Sequence, residues 1–359
     1  MKKKFSEVLE IKNGKNQKSV EVINGAYPIY GSGGEMGRAS DYICEAQTVI
    51  IGRKGTINNP LFVNEPFWNV DTAFGLCANR KILFPKYLYH FCKSFDFNTL
   101  STTVTIPSLT KTNLLSIEIP LPSLPEQQKI AAHLDSIQSA IDNKKQQLAQ
   151  LDELVKSKFV EMFGENPVES GKWKVEKLNE ITDVRDGTHD SPSFYSEGYP
   201  FITTKNLIDG TIDYSTASLI CKEDYEHFDK RSHVDDGDIL MPMIGTIGGA
   251  ILVKKDRDFA IKNVSLIKRR IDDMNFIYLL SVLNSDFMNF HFEQFKIGGT
   301  QKFISLSLIR SLPIPVPQIE LQNTFAEYVQ KIDSAKSIIK TQLNDLNELL
   351  ESKMDHYFS

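Results

Sequence analysis

The chain has 359 residues, 41% of them apolar and 24% charged, with a formal net charge of −5, which is long for one domain and comfortable for two. No run approaches the roughly 18 apolar residues of a membrane span, and Met1-Lys2-Lys3-Lys4-Phe5-Ser6 carries charge with no apolar stretch behind it, so neither a membrane helix nor a signal peptide is expected. Four cysteines (Cys44, Cys77, Cys92 and Cys221) stand far apart in no CxxC or zinc spacing, which reads as a reduced, cytoplasmic protein.

Residues 1–122 mix short β-type runs (Thr48–Ile51) with a helix-like one (Tyr87–Ser94), separated by Gly, Asn and Asp turns. Gly33-Gly34-Glu35-Met36-Gly37 is glycine-rich but lacks the strand-to-helix setting of a nucleotide fingerprint, so it reads as a loop. This segment is mildly basic, with 14 Lys and Arg against 10 Asp and Glu over residues 1–124.

Residues 123–165 read as one long helix. Apolar residues alternate by four and three at Ile130, Leu134, Ile137, Ile141, Leu148, Leu151, Val155 and Met162, with Lys144 and Lys158 completing a seam of about five heptads. Pro122 and Pro125 are expected just before the helix, and Gly164 with Pro167 ends it.

Residues 166–317 again mix strands (Ile239–Met243, Ala250–Val253) with a helical run (Asn275–Asn284). The balance here is acidic, 18 basic against 23 acidic residues over 164–319. Asp235-Asp236-Gly237-Asp238 reads as a solvated turn before a strand, and His189 between Asp186 and Asp190 as a turn residue rather than a general base. Cys221, His227 and His233 match no common metal-site spacing.

Residues 318–359 repeat the helix. Ile119-Pro120-Leu121-Pro122-Ser123-Leu124 recurs as Ile314-Pro315-Val316-Pro317-Gln318-Ile319, an offset of 195 that holds without a gap through Gln127 and Gln322, Leu148 and Leu343, Phe163 and Phe358. The second seam runs Phe325, Val329, Ile332, Lys336, Ile339, Leu343, Leu346, Leu350, Lys353, Tyr357. Neither apolar stripe could remain exposed, so the expected partner of each helix is the other, the pair acting as a rigid spacer. The globular segments match more weakly: Tyr27-Pro28-Ile29 with Tyr199-Pro200-Phe201, Ile50-Ile51-Gly52-Arg53-Lys54-Gly55-Thr56-Ile57 with Leu240-Met241-Pro242-Met243-Ile244-Gly245-Thr246-Ile247, and Tyr87-Leu88-Tyr89 with Phe276-Ile277-Tyr278. The expected fold is two compact, pseudo-symmetric α/β (α+β) domains with strongly twisted sheets, separated by two long antiparallel coiled-coil helices.

This layout resembles the specificity subunit of type I restriction-modification systems. The residues that carry the resemblance are the helix entrance Ile119-Pro120-Leu121-Pro122-Ser123-Leu124-Pro125-Glu126-Gln127-Gln128-Lys129-Ile130, then Asp186-Gly187-Thr188-His189-Asp190-Ser191-Pro192, Gly237-Asp238-Ile239-Leu240, Gly245-Thr246-Ile247-Gly248 and Gly298-Gly299-Thr300-Gln301. The second entrance, Pro317-Gln318-Ile319-Glu320-Leu321-Gln322, is degraded, and Asn13-Gly14-Lys15-Asn16 stands where the first domain would carry the Asp-Gly-Thr-His motif, so the two domains are expected to read different sequences. The resemblance implies target-recognition domains at 1–122 and 166–317, each reading half of a bipartite double-stranded DNA site. It implies spacer helices at 123–165 and 318–359, and two adenine-methyltransferase subunits as partners, with restriction subunits in the full complex. S-adenosylmethionine, ATP and magnesium would then sit on those partners and not on this chain.

DNA bases are read by Arg, Lys, Asn, Gln, Ser and Thr on loops. The candidates are Ser32, Arg53, Lys54, Thr56, Thr102, Thr103 and Lys111 in the first domain, and Thr203, Thr204, Lys205, Asn206, Thr246, Gln301 and Lys302 in the second. Neither a phosphate loop nor the Asp/Asn-Pro-Pro-aromatic motif of amino-methyltransferases is present, so no catalysis is expected of this chain and no catalytic or metal residue is assigned. An overall charge of −5 is low for a protein that grips DNA alone, so partners are expected to share the grip. The alternative reading is a non-catalytic scaffold whose two domains dock proteins or glycans.

Overall fold

The computed structural model describes residues 1–100, 108–208, 210–244, 249–271, 273–295 and 303–359, with backbone alone at 294 and 295. The chain divides into two compact units, Met1–Gln147 with Ile339–Ser359, and Leu148–Ile338.

The first unit opens with β1 (Lys2–Lys4), the single turn α1 (Phe5–Val8) and β2 (Leu9–Asn13). β3 (Tyr27–Gly31), β4 (Gly34–Ala39), β5 (Thr48–Gly52), β6 (Leu61–Val63), β7 (Trp68–Asn69) and β8 (Ala73–Ala78) follow. Next come α2 (Pro85–Ser94), α3 (Lys111–Leu115), β9 (Glu118–Pro120) and the 40-residue α4 (Leu124–Phe163). A four-stranded antiparallel sheet runs β2-β8-β5-β6, and a smaller one runs β4-β3-β7 with β3 and β7 parallel. β5 is Thr-Val-Ile-Ile-Gly and every residue in it is buried, as β-branched side chains packed on both faces of an inner strand require. Proline at the first position of α2 needs no amide partner there, and its buried Tyr87, Leu88, Phe91 and Cys92 form one helical face.

The second unit repeats this plan with insertions. β10 (Lys174–Lys177), α5 (Leu178–Ile181), β11 (Thr182–Asp186) and β12 (Tyr199–Ile202) lead to a hairpin of β13 (Leu207–Ile208) and β14 (Thr211–Ile212), then β15 (Ser218–Ile220) and α6 (Lys222–Ser232). β16 (Ile239–Pro242), β17 (Ile251–Leu252), β18 (Ala260–Ile261), β19 (Val264–Arg269), α7 (Phe276–Leu283), α8 (Asp286–Phe295), α9 (Leu306–Arg310), β20 (Pro313–Val316) and the 40-residue α10 (Ile319–Phe358) complete it. The sheet orders β11-β19-β16-β17 and β15-β12-β18 match those of the first unit strand for strand. The hairpin and α6 have no counterpart among the described residues of the first unit.

All the seam residues named above are buried or partly buried. Each helix, however, also enters a module core. Ile130, Ala131 and Leu134 of α4 pack with Phe5, Tyr87 and Phe91, and Phe358 at the end of α10 joins the same cluster. In the second unit Phe325 and Val329 of α10 pack with Tyr278, and Phe159 and Phe163 at the end of α4 join them. The two helices meet antiparallel within each unit: His133 Nδ1 lies 3.0 Å from Tyr357 Oη in the first, and Lys336 Nζ 2.6 Å from Asp152 Oδ1 in the second.

Two sequence expectations are corrected. Pro125 lies inside the first turn of α4 rather than before it, because first-turn amides have no helical acceptor to lose. The α2–α7 match shifts by two residues: Tyr87 Oη donates to the Pro120 carbonyl at 2.8 Å as Tyr278 Oη does to Pro315 at 2.9 Å, so Tyr87 pairs with Tyr278. The buried Cys44 thiol donates to Asn69 Oδ1 at 3.4 Å, and Cys77 Sγ lies 3.7 Å from Thr48 Oγ1. Glycine at position 75 leaves room for the Cys44 thiol, since a Cβ there would stand 2.4 Å from its Sγ. The neighbouring Cys77 together with burial pushes the Cys44 thiol up, and Cys44 beside it pulls the Cys77 thiol down.

Candidate nucleic-acid interface

In the first unit the loop after β5 gathers basic and hydroxyl side chains. A Cβ on Gly52 would lie 2.0 Å from the Thr56 carbonyl oxygen and 3.0 Å from Ser32 Cβ, so glycine lets the chain fold back beside Ser32. The Arg53 amide donates to Thr72 O at 2.7 Å, and its carbonyl accepts from Leu109 N at 2.9 Å. Lys54 pairs with Ser108, and buried Ile57 anchors the loop. Arg53, Lys54 and Thr56 remain exposed, with the Arg53 guanidinium 5.8 Å from the Phe74 ring centre. Lys111 opens α3 two residues beyond Leu109, where the Thr110 hydroxyl caps the helix by accepting from Asn113 N. Ser32, Arg53, Lys54, Thr56 and Lys111 thus belong to one loop cluster. Thr102 and Thr103 lie outside the described residues.

The same backbone arrangement recurs in the second unit with different side chains. Ile304 N donates to Met243 O at 2.9 Å and Ile244 pairs with Phe303. Met243, Ile244 and a 41%-exposed Phe303 therefore stand where the first unit has Arg53, Lys54 and Ser108. Polar groups arrive instead from the ends of β11 and β18. His189 Nδ1 lies 2.8 Å from Asn263 Oδ1 and Nε2 3.1 Å from Asp186 Oδ2, while Asp186 Oδ1 accepts from Arg231. With Ile244 and Phe303, the residues Asp186, His189 and Asn263 line a cavity of about 320 Å³. The turn that presents them depends on Gly187, where a Cβ would stand 2.4 Å from Ile261 O; Gly14 is held against Val70 O in the same way at 1.8 Å. His189 is the turn residue expected, tying two strand ends together.

Thr203, Thr204, Lys205 and Asn206 form a short helical turn after β12. Asn206 is corrected from base reader to turn anchor. It is 4% exposed, its Oδ1 accepts from the Thr203 amide and hydroxyl at 2.9 and 3.0 Å, and its Nδ2 donates to Asp213 O and Thr216 Oγ1. A carboxamide spent on its own fold has no edge left for a base. The Thr204 hydroxyl is buried without a partner among the described residues, and Lys205 is exposed. Thr246, Gln301 and Lys302 lie outside the described residues.

Sequence reasoning missed Lys262 and Asn263. Lys262 Nζ donates to Ser191 Oγ at 2.7 Å, and Asn263 adopts a left-handed φ of +54°. Their signal was a polar pair interrupting the apolar run from Phe259 to Ile267. The acidic turn at Asp235 is filled by Lys268, whose ammonium donates to Asp235 and Asp238 at 2.7 and 2.6 Å. Burial works against that charge, but the two carboxylates outweigh it and hold the Lys268 pKa up. Among the described residues no group of three His, Cys, Asp or Glu is placed to hold a metal ion, and no helix is long and apolar enough to cross a membrane.

The family model described as the type I restriction modification DNA specificity domain matches residues 1–153 and again 170–348. The chain belongs to this family. It is 25% identical over 338 residues to the type I restriction enzyme MjaVIII specificity subunit of Methanocaldococcus jannaschii, covering 86% of this chain and 75% of the relative. It is 23% identical over 341 residues to the type I restriction enzyme EcoBI specificity subunit of Escherichia coli, covering 85% and 72%. Its fold is similar to the crystal structure of the S subunit of a type I restriction-modification system from M. genitalium, with a TM-score of 0.63 at 16% identity over 100% of this chain and 96% of that one. A second structure, described by the assembly and conformational transition of a type I system, gives a TM-score of 0.57 at 17% identity over 99% and 97%. Membership in a family of DNA specificity domains gives no support to the protein- or glycan-docking scaffold.

Proposed function

We propose that the chain is the DNA-specificity subunit of a type I restriction-modification complex, and that residues 1–122 and 166–317 each read one half of a bipartite site. The observation that carries this is two modules of one strand order presenting opposite chemistry at the same backbone position. Arg53, Lys54 and Ser108 suit the acceptor-rich edge of guanine and the phosphates, whereas Ile244 and the exposed Phe303, with Asn263 beside them, suit a more apolar edge such as the thymine methyl of an A·T pair. Two readers of one fold and unlike surface recognise two unlike half-sites. The long helices, 123–165 and 318–359, set the spacing and dock two methyltransferase subunits, with restriction subunits joining the full complex. The chain itself performs no catalysis. S-adenosylmethionine, ATP and magnesium are bound by those partners.

The purified chain is expected to neither methylate nor cleave DNA, and addition of the methyltransferase subunit should give adenine methylation at a two-part sequence. Replacing residues 166–317 with the corresponding module of a relative should change one half of that sequence only. Methylation by the chain alone, or a change in both halves on the swap, overturns the proposal.

A further inference from the structure

The strand ends of the second unit opposite the Asp186 cluster carry a feature that the reading interface does not use. β11 and β19 run antiparallel with Asp186 beside Ser265 at one end and Thr182 beside Arg269 at the other, so the two ends lie a five-residue strand apart, about 15 Å. At the Thr182 end an open cavity of about 390 Å³ is lined by Arg269, Arg270 and Arg310 together with Asn179, Asp183 and Val184. This concentration of arginine sits in the acidic segment of the chain.

Each of the three guanidinium groups is positioned by a neutral partner. Arg310 donates from Nε and Nη2 to the Val184 carbonyl at 3.2 and 2.9 Å. Arg270 donates from Nη1 to the Asn179 carbonyl at 3.0 Å. The Arg269 guanidinium lies 5.1 Å from the centre of the buried Phe276 ring. The one carboxylate among the described lining residues, Asp183, is engaged by Arg185, which donates from Nε at 2.9 Å and Nη2 at 2.6 Å. Carbonyl and ring contacts fix orientation but, among the described residues, leave the positive charge uncompensated, with further N–H donors on each fork. The arrangement is specific to this unit: by strand and helix register the first unit has Ala78, Asn79 and Leu115 at the matching positions, and none of these is charged.

We propose that Arg269, Arg270 and Arg310 form a phosphate-binding site, separate from the base-reading edge and confined to the second unit. Planar forks held in place and converging on an open cavity suit the tetrahedral oxyanion of a phosphate group, each taking a pair of its oxygens. The group can be a backbone phosphate of the bound duplex or the phosphate of a small phosphorylated ligand, and the duplex source rests on the DNA-reading function proposed above. On a duplex, such contacts position the protein without reading sequence.

The first measurement titrates inorganic pyrophosphate into the full chain, following arginine side-chain NMR signals. Saturable shifts are expected at Arg269, Arg270 and Arg310, and Arg269→Gln and Arg270→Gln should each weaken binding about tenfold or more. Among the described residues Arg269→Gln removes no side-chain hydrogen bond, so it stands if Arg310→Gln fails to fold. Absence of pyrophosphate binding, or binding unchanged in both variants, overturns the site and would leave the cavity to carboxylates of a partner protein. The second measurement takes the chain with its methyltransferase partner on a duplex of random sequence. A salt dependence shallower by about one per arginine removed assigns the phosphate to DNA. Loss of pyrophosphate binding with unchanged duplex binding assigns it to a small ligand. Failure of the complex to bind any duplex would count against the DNA-reading function and leave the pyrophosphate result standing.

Discussion

Gln127 and Gln322 occupy the same place in the two units. Each is fully buried, and each accepts from an amide that starts a module helix, Phe84 N at 2.8 Å and Asn275 N at 2.9 Å. Each also donates twice, Gln127 to Ile82 O and Pro122 O, Gln322 to Asp273 O and Pro317 O. Replacement of either by leucine leaves one buried donor and two acceptors unmet, at about 1–3 kcal/mol each before relaxation. Urea denaturation should show either variant losing about 3 kcal/mol; a loss under about 1 kcal/mol would mean that water replaces the carboxamide. His90 gives a pH signature. It is 3% exposed with Nε2 2.9 Å from Asp135 Oδ1, and burial outweighs that carboxylate, holding its pKa below the usual 6.5. The unfolded chain therefore takes up a proton before the folded one, and stability falls as pH drops below about 6.5. Comparison of Tm at pH 7.5 and 5.5 should show a smaller acid loss in His90→Gln than in the native chain. An equal loss would place the titration elsewhere.

At the scale of elements, the long helices serve as parts of the module cores as well as a seam. Phe358 packs at 5.2 Å from Tyr87 and 5.7 Å from Phe91, ring centre to centre. Phe163 packs at 4.8 Å from Tyr278 and 5.5 Å from Phe325. Each unit is thus closed by the far end of a helix that starts on the other. Truncation of a buried phenylalanine costs about 3 kcal/mol. Phe358→Ala should loosen amide-exchange protection around Tyr87 and Phe91 while leaving the second unit unchanged, and Phe163→Ala should do the reverse. Uniform loosening of both units by either variant would show that they unfold as one.

For the whole molecule, the proposed spacer role makes helix length a ruler. One heptad added to both α4 and α10 at matched seam positions adds about 10 Å, the rise of about three base pairs. Methylation mapping of the assembled complex should find the same half-sites separated by a gap longer by about that amount. An unchanged gap would separate the helices from the spacing. A heptad added to α4 alone places its new seam residues opposite no partner, and the complex should fail to assemble.

Much of this was legible in sequence because it depends on periodicity. The 195-residue offset and the four-three seam determined two matched helices, since an apolar stripe of that length is insoluble unless covered. Strand pairs such as Ile50 with Leu240 and Ile29 with Phe201 were also correct to the residue, because inner strands of a twisted sheet accept few side chains. What tertiary structure alone decided is where distant segments meet. It shifted Tyr87 onto Tyr278, since a hydroxyl's partner is a carbonyl tens of residues away. It set the Cys44 thiol on Asn69, took Asn206 out of the surface, and put Phe303 opposite Ile244 where Ser108 faces Lys54. Local pattern specifies which face of an element is covered; which surface covers it, and which polar atoms are left for DNA, follow only from packing.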